Sequence, residues 1–154
     1  MASSFADGAG TNLHEFIHSP AVTCTPVTTL ADAAAEMDRY NVGSLVVIDV
    51  GDHITGILTD RDLAVRAMAK RREPDAPVRD VMTPNVVWLR EDADPFDAAH
   101  QMATSGCRRP PVVGIDGTLR GVIALDDLMI LFTRHTDELA HAVASSTTSP
   151  LPRP

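Results

Sequence analysis

The chain has 154 residues, 44% of them hydrophobic and 4% aromatic, with a formal net charge of −8 at pH 7. This composition supports a packed interior built from Val, Ile, Leu, Ala and Met, and no apolar run reaches the roughly 18–20 residues that span a bilayer. It argues against a nucleic-acid partner, which needs a basic stripe: Lys70-Arg71-Arg72 is followed at once by Glu73, Pro74 and Asp75.

Residues 1–12 carry no basic region leading into an apolar stretch, so no export signal is expected and a cytoplasmic location is. Cys24 and Cys107 are then expected to be reduced and buried. Residues 1–12 are expected to be disordered. A first unit covers 13–70. It opens on a segment ending in the turn His18-Ser19-Pro20 and leads into a short strand containing Val22. A helix follows over about 30–40, with Ala33, Ala34 and Met37 on one face. Next come the apolar strand Leu45-Val46-Val47-Ile48, the turn Gly51-Asp52-His53, a returning strand Ile54 to Leu58, and a helix starting near 60.

A charged, proline-bearing linker covers 71–77. The second unit, 78–135, repeats the order. It has the turn Thr83-Pro84-Asn85, a short strand with Val87 and a helix over about 95–105 carrying Ala98, Ala99 and Met102. A strand Pro111-Val112-Val113, the hairpin turn Asp116-Gly117, a return from Leu119 to Ala124 and a helix from near 125 follow. The tail, 136–154, is expected to be mostly disordered. A shift of 65 residues carries Gly56-Ile57-Leu58 onto Gly121-Val122-Ile123 and Asp62-Leu63 onto Asp127-Leu128. The register runs without a gap from Leu13/Val78 to Leu63/Leu128. The fold class is therefore α/β, mixed α+β, made of two β-α-β-β-α repeats.

Three runs carry a family resemblance: Val78-Arg79-Asp80-Val81-Met82-Thr83-Pro84, Arg108-Arg109-Pro110-Pro111-Val112-Val113, and Gly56-Ile57-Leu58-Thr59-Asp60-Arg61-Asp62-Leu63. In this order, on a duplicated frame, the chain resembles a tandem pair of CBS domains, also called a Bateman module. The resemblance implies repeats related by a pseudo-two-fold axis, with two clefts between them. It implies a non-enzymatic sensor that binds AMP, ADP, ATP or S-adenosylmethionine as a regulatory ligand and requires no cofactor. It also implies a homodimer of such pairs acting on a separate protein partner.

The resemblance gives Asp62 the ribose hydroxyls and Thr59 the ribose or phosphate, since a carboxylate has the lone pairs a diol's donors need. Thr59-x-x-Asp62 also reads as a helix capping box, with no ligand involved. The second repeat keeps the acid at Asp127 but has Ala124 in place of the hydroxyl. Unequal clefts are expected, the Thr59/Asp62 cleft binding more tightly. Arg61, Arg108 and Arg109 are the candidate phosphate ligands, and Val22 and Val46 mark the expected adenine contacts. A ligand-free dimerisation or interaction protein is the alternative.

His14-Glu15-Phe16-Ile17-His18 matches H-E-x-x-H, the pattern of a zinc metallohydrolase. Ser19-Pro20 follows at once, which leaves too few turns for a helical metal face. The 65-residue shift lays it on Arg79–Thr83, which has no histidines. No catalytic or metal-binding residue is therefore assigned.

Overall fold

The computed structural model describes residues 13–147, so the stretches expected to be disordered at 1–12 and after 147 lie outside the described residues. Helix α1 (Leu30–Tyr40) starts where the Thr29 hydroxyl accepts the Asp32 N–H at 3.1 Å, and it ends at Asn41, at φ 51°. Leu30, Ala33 and Met37 face inward, whereas Ala34 is exposed. The first repeat also contains β1 (Thr23–Cys24), β2 (Ser44–Ile48) and β3 (Ile54–Thr59). Helix α2 (Asp60–Asp62) leaves β3 and runs on through a wider π-type turn, Leu63–Ala67, and a 3-10 turn, Met68–Lys70.

The second repeat contains β4 (Thr83–Pro84), β5 (Leu89–Arg90), α3 (Pro95–Ser105), β6 (Pro111–Val113), β7 (Leu119–Val122) and α4 (Leu125–Thr147). Asp94 caps α3 through the Phe96 and Asp97 N–H groups, Pro95 occupies the first turn, and Gly106 ends the helix at φ 68°.

The two sheets share one register. Val46 lies opposite Ile57 and Val47 opposite Gly56, then an irregularity sets Ile48 opposite Ile54. Pro111 lies opposite Val122 and Val112 opposite Gly121, and the same irregularity sets Val113 opposite Leu119. The parallel strands agree too, Cys24 facing Val47 and Leu89 facing Val112. The repeats differ by one bond. The Val46 N–H donates to the Val22 carbonyl at 3.0 Å, while Pro111, at the matching position, has no N–H to give. Strand β5 accordingly begins one register position later than β1.

Each repeat lends its entry segment to the other. β4 pairs with β3, Thr83 opposite Ile57 and Pro84 opposite Gly56. Reciprocally, His18 bridges Val122: its N–H donates to the Val122 carbonyl at 2.8 Å and its carbonyl accepts the Val122 N–H at 3.1 Å. The cores follow the exchange. Val78 and Val81 are buried with Leu45, Leu58 and Met37 of the first repeat. Leu13 is buried with Leu89, Ile123 and Leu128 of the second, and Phe16 and Ile17 pack on that cluster.

The tail departs from expectation. Residues up to Thr147 continue α4 as helix rather than disorder. Ala140, Ala142 and Ala144 favour helix strongly, and no proline intervenes before Pro150.

Gly56 and Gly121 occupy matching positions beneath the crossing segments. A Cβ on Gly56 would stand 2.5 Å from the Thr83 carbonyl oxygen, and one on Gly121 would stand 2.4 Å from the His18 carbonyl oxygen. Gly56→Ala and Gly121→Ala are each expected to destabilise the fold by about 1–3 kcal/mol, the cost of overpacking against backbone. Urea unfolding checks this; an unchanged midpoint for both would show that the crossing segments are loosely seated.

Candidate ligand-binding cleft

Strand β3 ends by delivering Thr59 to the first turn of α2. The Thr59 hydroxyl accepts the Asp62 N–H at 3.1 Å and donates to Asp62 Oδ2 at 2.7 Å. The Thr59 N–H donates to the same oxygen at 3.0 Å. The capping box is complete, and it leaves Asp62 only 8% exposed. Asp62 Oδ1 meets Arg66 Nε at 3.3 Å.

The second repeat builds the same junction without the hydroxyl. The Ala124 N–H donates to Asp127 Oδ2 at 3.1 Å, and His18 Nε2 takes the place of the missing hydroxyl at 3.0 Å from that oxygen. Each acid therefore has a partner beyond its own helix turn, Arg66 for Asp62 and His18 for Asp127.

A cleft of about 560 Å³ opens between the repeats. Thr59, Arg61, Asp62, Arg108 and Arg109 all line it, so most of the sequence-derived site residues come together. Three do not. Asp127 is not part of this lining; it lies on the His18 side of the second junction. Val46 is wholly buried in β2, and Val22 packs against the first core. The apolar wall of the cleft is instead Ile57, Val86 and Val87. Val87 is the repeat partner of Val22, so the duplication held the signal. Val87 lines the cleft because it follows the crossing segment at Thr83–Pro84, which pairs with β3.

The arginines differ in setting. The exposed Arg61 gives its backbone N–H to Asp60 Oδ1 at 2.7 Å. Arg108 lies 3.8 Å from Asp126, with both side chains largely exposed, so that pair contributes little. Arg109 is half-buried. Sequence reasoning missed Asp60, Asp126, Cys107 and the segment 83–85, all of which line the cleft. Its acids and arginines put both signs of charge in one concavity.

The H-E-x-x-H match lacks the helix it needs. Leu13–Phe16 is a single 3-10 turn, and the chain then extends so that His18 bridges β7. His14 Nε2 lies 3.8 Å from Glu91, on a different neighbour from His18. Among the described residues no group of three or more His, Cys, Asp or Glu side chains could hold a metal ion. Nor is any helix among them long and apolar enough to cross a membrane.

The duplicated frame agrees with a family match found twice along the chain. A model of the CBS domain matches residues 13–68 and again 78–133. The chain belongs to the CBS-domain family. An uncharacterized 17.7 kDa protein of Acidianus ambivalens is 42% identical over 103 residues, which cover 67% of this CBS-domain pair and 62% of that protein. The chain spans 56% of the length of a Methanopyrus kandleri relative. The CBS domain-containing protein YhcV of Bacillus subtilis is 37% identical over 108 residues, 70% of this chain and 76% of its own. Among solved structures, CBSX2 in complex with AMP superposes with a TM-score of 0.64 at 25% identity, over 81% of this chain and 98% of that one. The CBS domain pair of MJ0100, in complex with 5′-methylthioadenosine and S-adenosyl-L-methionine, superposes at 0.71 over 80% and 97%; at 23% identity this establishes the fold.

The two free cysteines separate by environment. Cys24 is buried in the first core, where desolvation pushes its thiol up to about 11; Cys107 is raised by the same cause but is half-exposed beside the cleft. Iodoacetamide at neutral pH is expected to alkylate Cys107 well before Cys24 in the folded protein; mass spectrometry reads the order. Thr59→Ala is expected to lower stability by about 1 kcal/mol through loss of the cap. Denaturant titration measures that loss.

Proposed function

We propose that this CBS-domain pair is a small-molecule-binding regulatory protein that takes an adenosine-containing ligand (AMP, ADP, ATP or S-adenosylmethionine) in the cleft between its repeats. The observation that carries the reading is the composition of that cleft. Thr59 and Asp62 stand at one helix start, Arg61, Arg108 and Arg109 surround it, and Ile57, Val86 and Val87 supply an apolar wall. The AMP complex of CBSX2, on the same fold, supports the same ligand class.

In this reading Asp62 accepts from the ribose and Thr59 contacts the ribose or phosphate. The arginines meet phosphate oxygens, for which their planar forks are suited. The base lies against Val86 and Val87. Val22 and Val46 are replaced in that role, because neither lines the cleft. The second junction is the weaker site, because it has Ala124 in place of the Thr59 hydroxyl and its acid, Asp127, is not among the residues lining the cleft. The protein acts as a cytoplasmic homodimer. The ligand works by preferring one conformation of the pair over another.

A thermal-shift panel of AMP, ADP, ATP and S-adenosylmethionine tests this. A ligand at a hundred times its dissociation constant is expected to add about 2.7 kcal/mol of stability. Calorimetry is expected to give one tight site per chain, lost in Asp62→Asn and kept in Asp127→Asn. A flat response to the whole panel would instead favour a ligand-free dimerisation protein. Two equal sites would overturn the inequality of the clefts.

A further inference from the structure

Arg66 is not among the residues lining the cleft, yet it touches Asp62, which is. Its Nε lies 3.3 Å from Asp62 Oδ1, four residues back along the helix. Its Nη1 is held elsewhere, donating to the Val81 carbonyl at 3.0 Å, the Met82 carbonyl at 3.2 Å and the Thr83 hydroxyl at 3.0 Å. Those three acceptors belong to the entry segment that crosses from the other repeat. A planar guanidinium with one end fixed this way has little freedom left at the other.

The Asp62 carboxylate is thus held from two sides. Thr59 fixes Oδ2 through its N–H and hydroxyl, and Arg66 stands against Oδ1. The second repeat has no such arrangement. Its residue at the Arg66 position is Leu131, buried in the core, and its acid meets the crossing segment directly through His18.

We propose that Arg66 is a positioning residue for the cleft, orienting Asp62 so that its carboxylate faces the ribose hydroxyls of the ligand. This rests on the nucleoside reading of the cleft given above. Arg66 touches no ligand in this account; it acts through Asp62.

The test compares binding of AMP with that of 2′,3′-dideoxyadenosine 5′-monophosphate, which lacks both hydroxyls. The unaltered protein is expected to prefer AMP by about 10–100-fold, the range for hydrogen bonds to a charged acceptor. Arg66→Met is expected to shrink that preference below about threefold, mostly by weakening AMP. Thr83→Val, which trims one anchor of Arg66 and leaves Asp62 and Thr59 in place, is expected to reduce the preference in the same direction by about threefold. Arg66→Lys keeps the charge but cannot reach both partners, and is expected to restore only part of it.

Equal losses for both nucleotides in Arg66→Met would make Arg66 a scaffold residue and overturn the proposal, as would an unchanged preference in both Arg66→Met and Thr83→Val. If the unaltered protein binds both nucleotides equally, the cleft still binds ligand but Asp62 does not read ribose, so this inference and the ribose role given to Asp62 above both fail while the ligand class stands. If it binds neither, and ADP, ATP and S-adenosylmethionine leave it equally unaffected, the nucleoside reading fails as well.

Discussion

At Gly56 and Gly121 a backbone carbonyl from the other repeat approaches to where any larger residue would place its Cβ. This close approach lets residues 78–84 lie on the first sheet and His18 lie on the second. The cores depend on it, because Val78, Val81 and Leu13 are buried in the repeat they cross to. The cleft depends on it too. The end of β3 from the first repeat and the segment following β4 both line it. Neither repeat alone could form that concavity. The same crossing also ties the acids down. Asp62 reaches the crossing segment through Arg66 and Thr83, and Asp127 reaches it through His18.

Much of this frame is legible in the chain because it rests on local patterns. Helices α1 and α3 are announced by the inward spacing of Ala33 and Met37, or Ala98 and Met102. Strands β2 and β6 are short apolar runs bounded by turns. The 65-residue shift carries the pairing register and its irregularity from one sheet to the other. Asp62 and Thr59 stand out because their spacing is that of a helix start, whatever else they do.

The exchange of entry segments is not legible in the same way. A pattern of apolar residues states that Leu13 and Val78 are buried, not against which core. Either connection would bury the same side chains at the same hydrophobic gain. Val22 lies on its own repeat, its carbonyl accepting the Val46 N–H, and it packs against the first core; its repeat partner Val87, which follows the crossing segment, lines the cleft instead. Val46 fails for a different reason: in a strand paired on both edges it is wholly buried, with no surface left for a ligand. The length of α4 is hidden because residues 136–154, ending in a Ser-, Thr- and Pro-rich run, read as tail, while Ala140, Ala142 and Ala144 carry the helix onward to Thr147.

The differences between the repeats fall on the polar side of the frame. Leu45 and Leu58, or Ile123 and Leu128, hold their cores alike, whereas Thr59 faces Ala124, Arg66 faces Leu131 and Thr83 faces His18 across the register. The energies explain how such changes are tolerated. Losing a buried leucine side chain costs about 2–5 kcal/mol, and losing a helix cap costs about 1. Asp127 offsets even that smaller loss by gaining His18. A duplicated fold can therefore keep both cores intact while its two strand-to-helix junctions drift apart in chemistry. Here one has the Thr59 hydroxyl and an Asp62 carboxylate held by Arg66 beside a cleft lined by three arginines, while at the other Asp127 meets a histidine of the crossing segment.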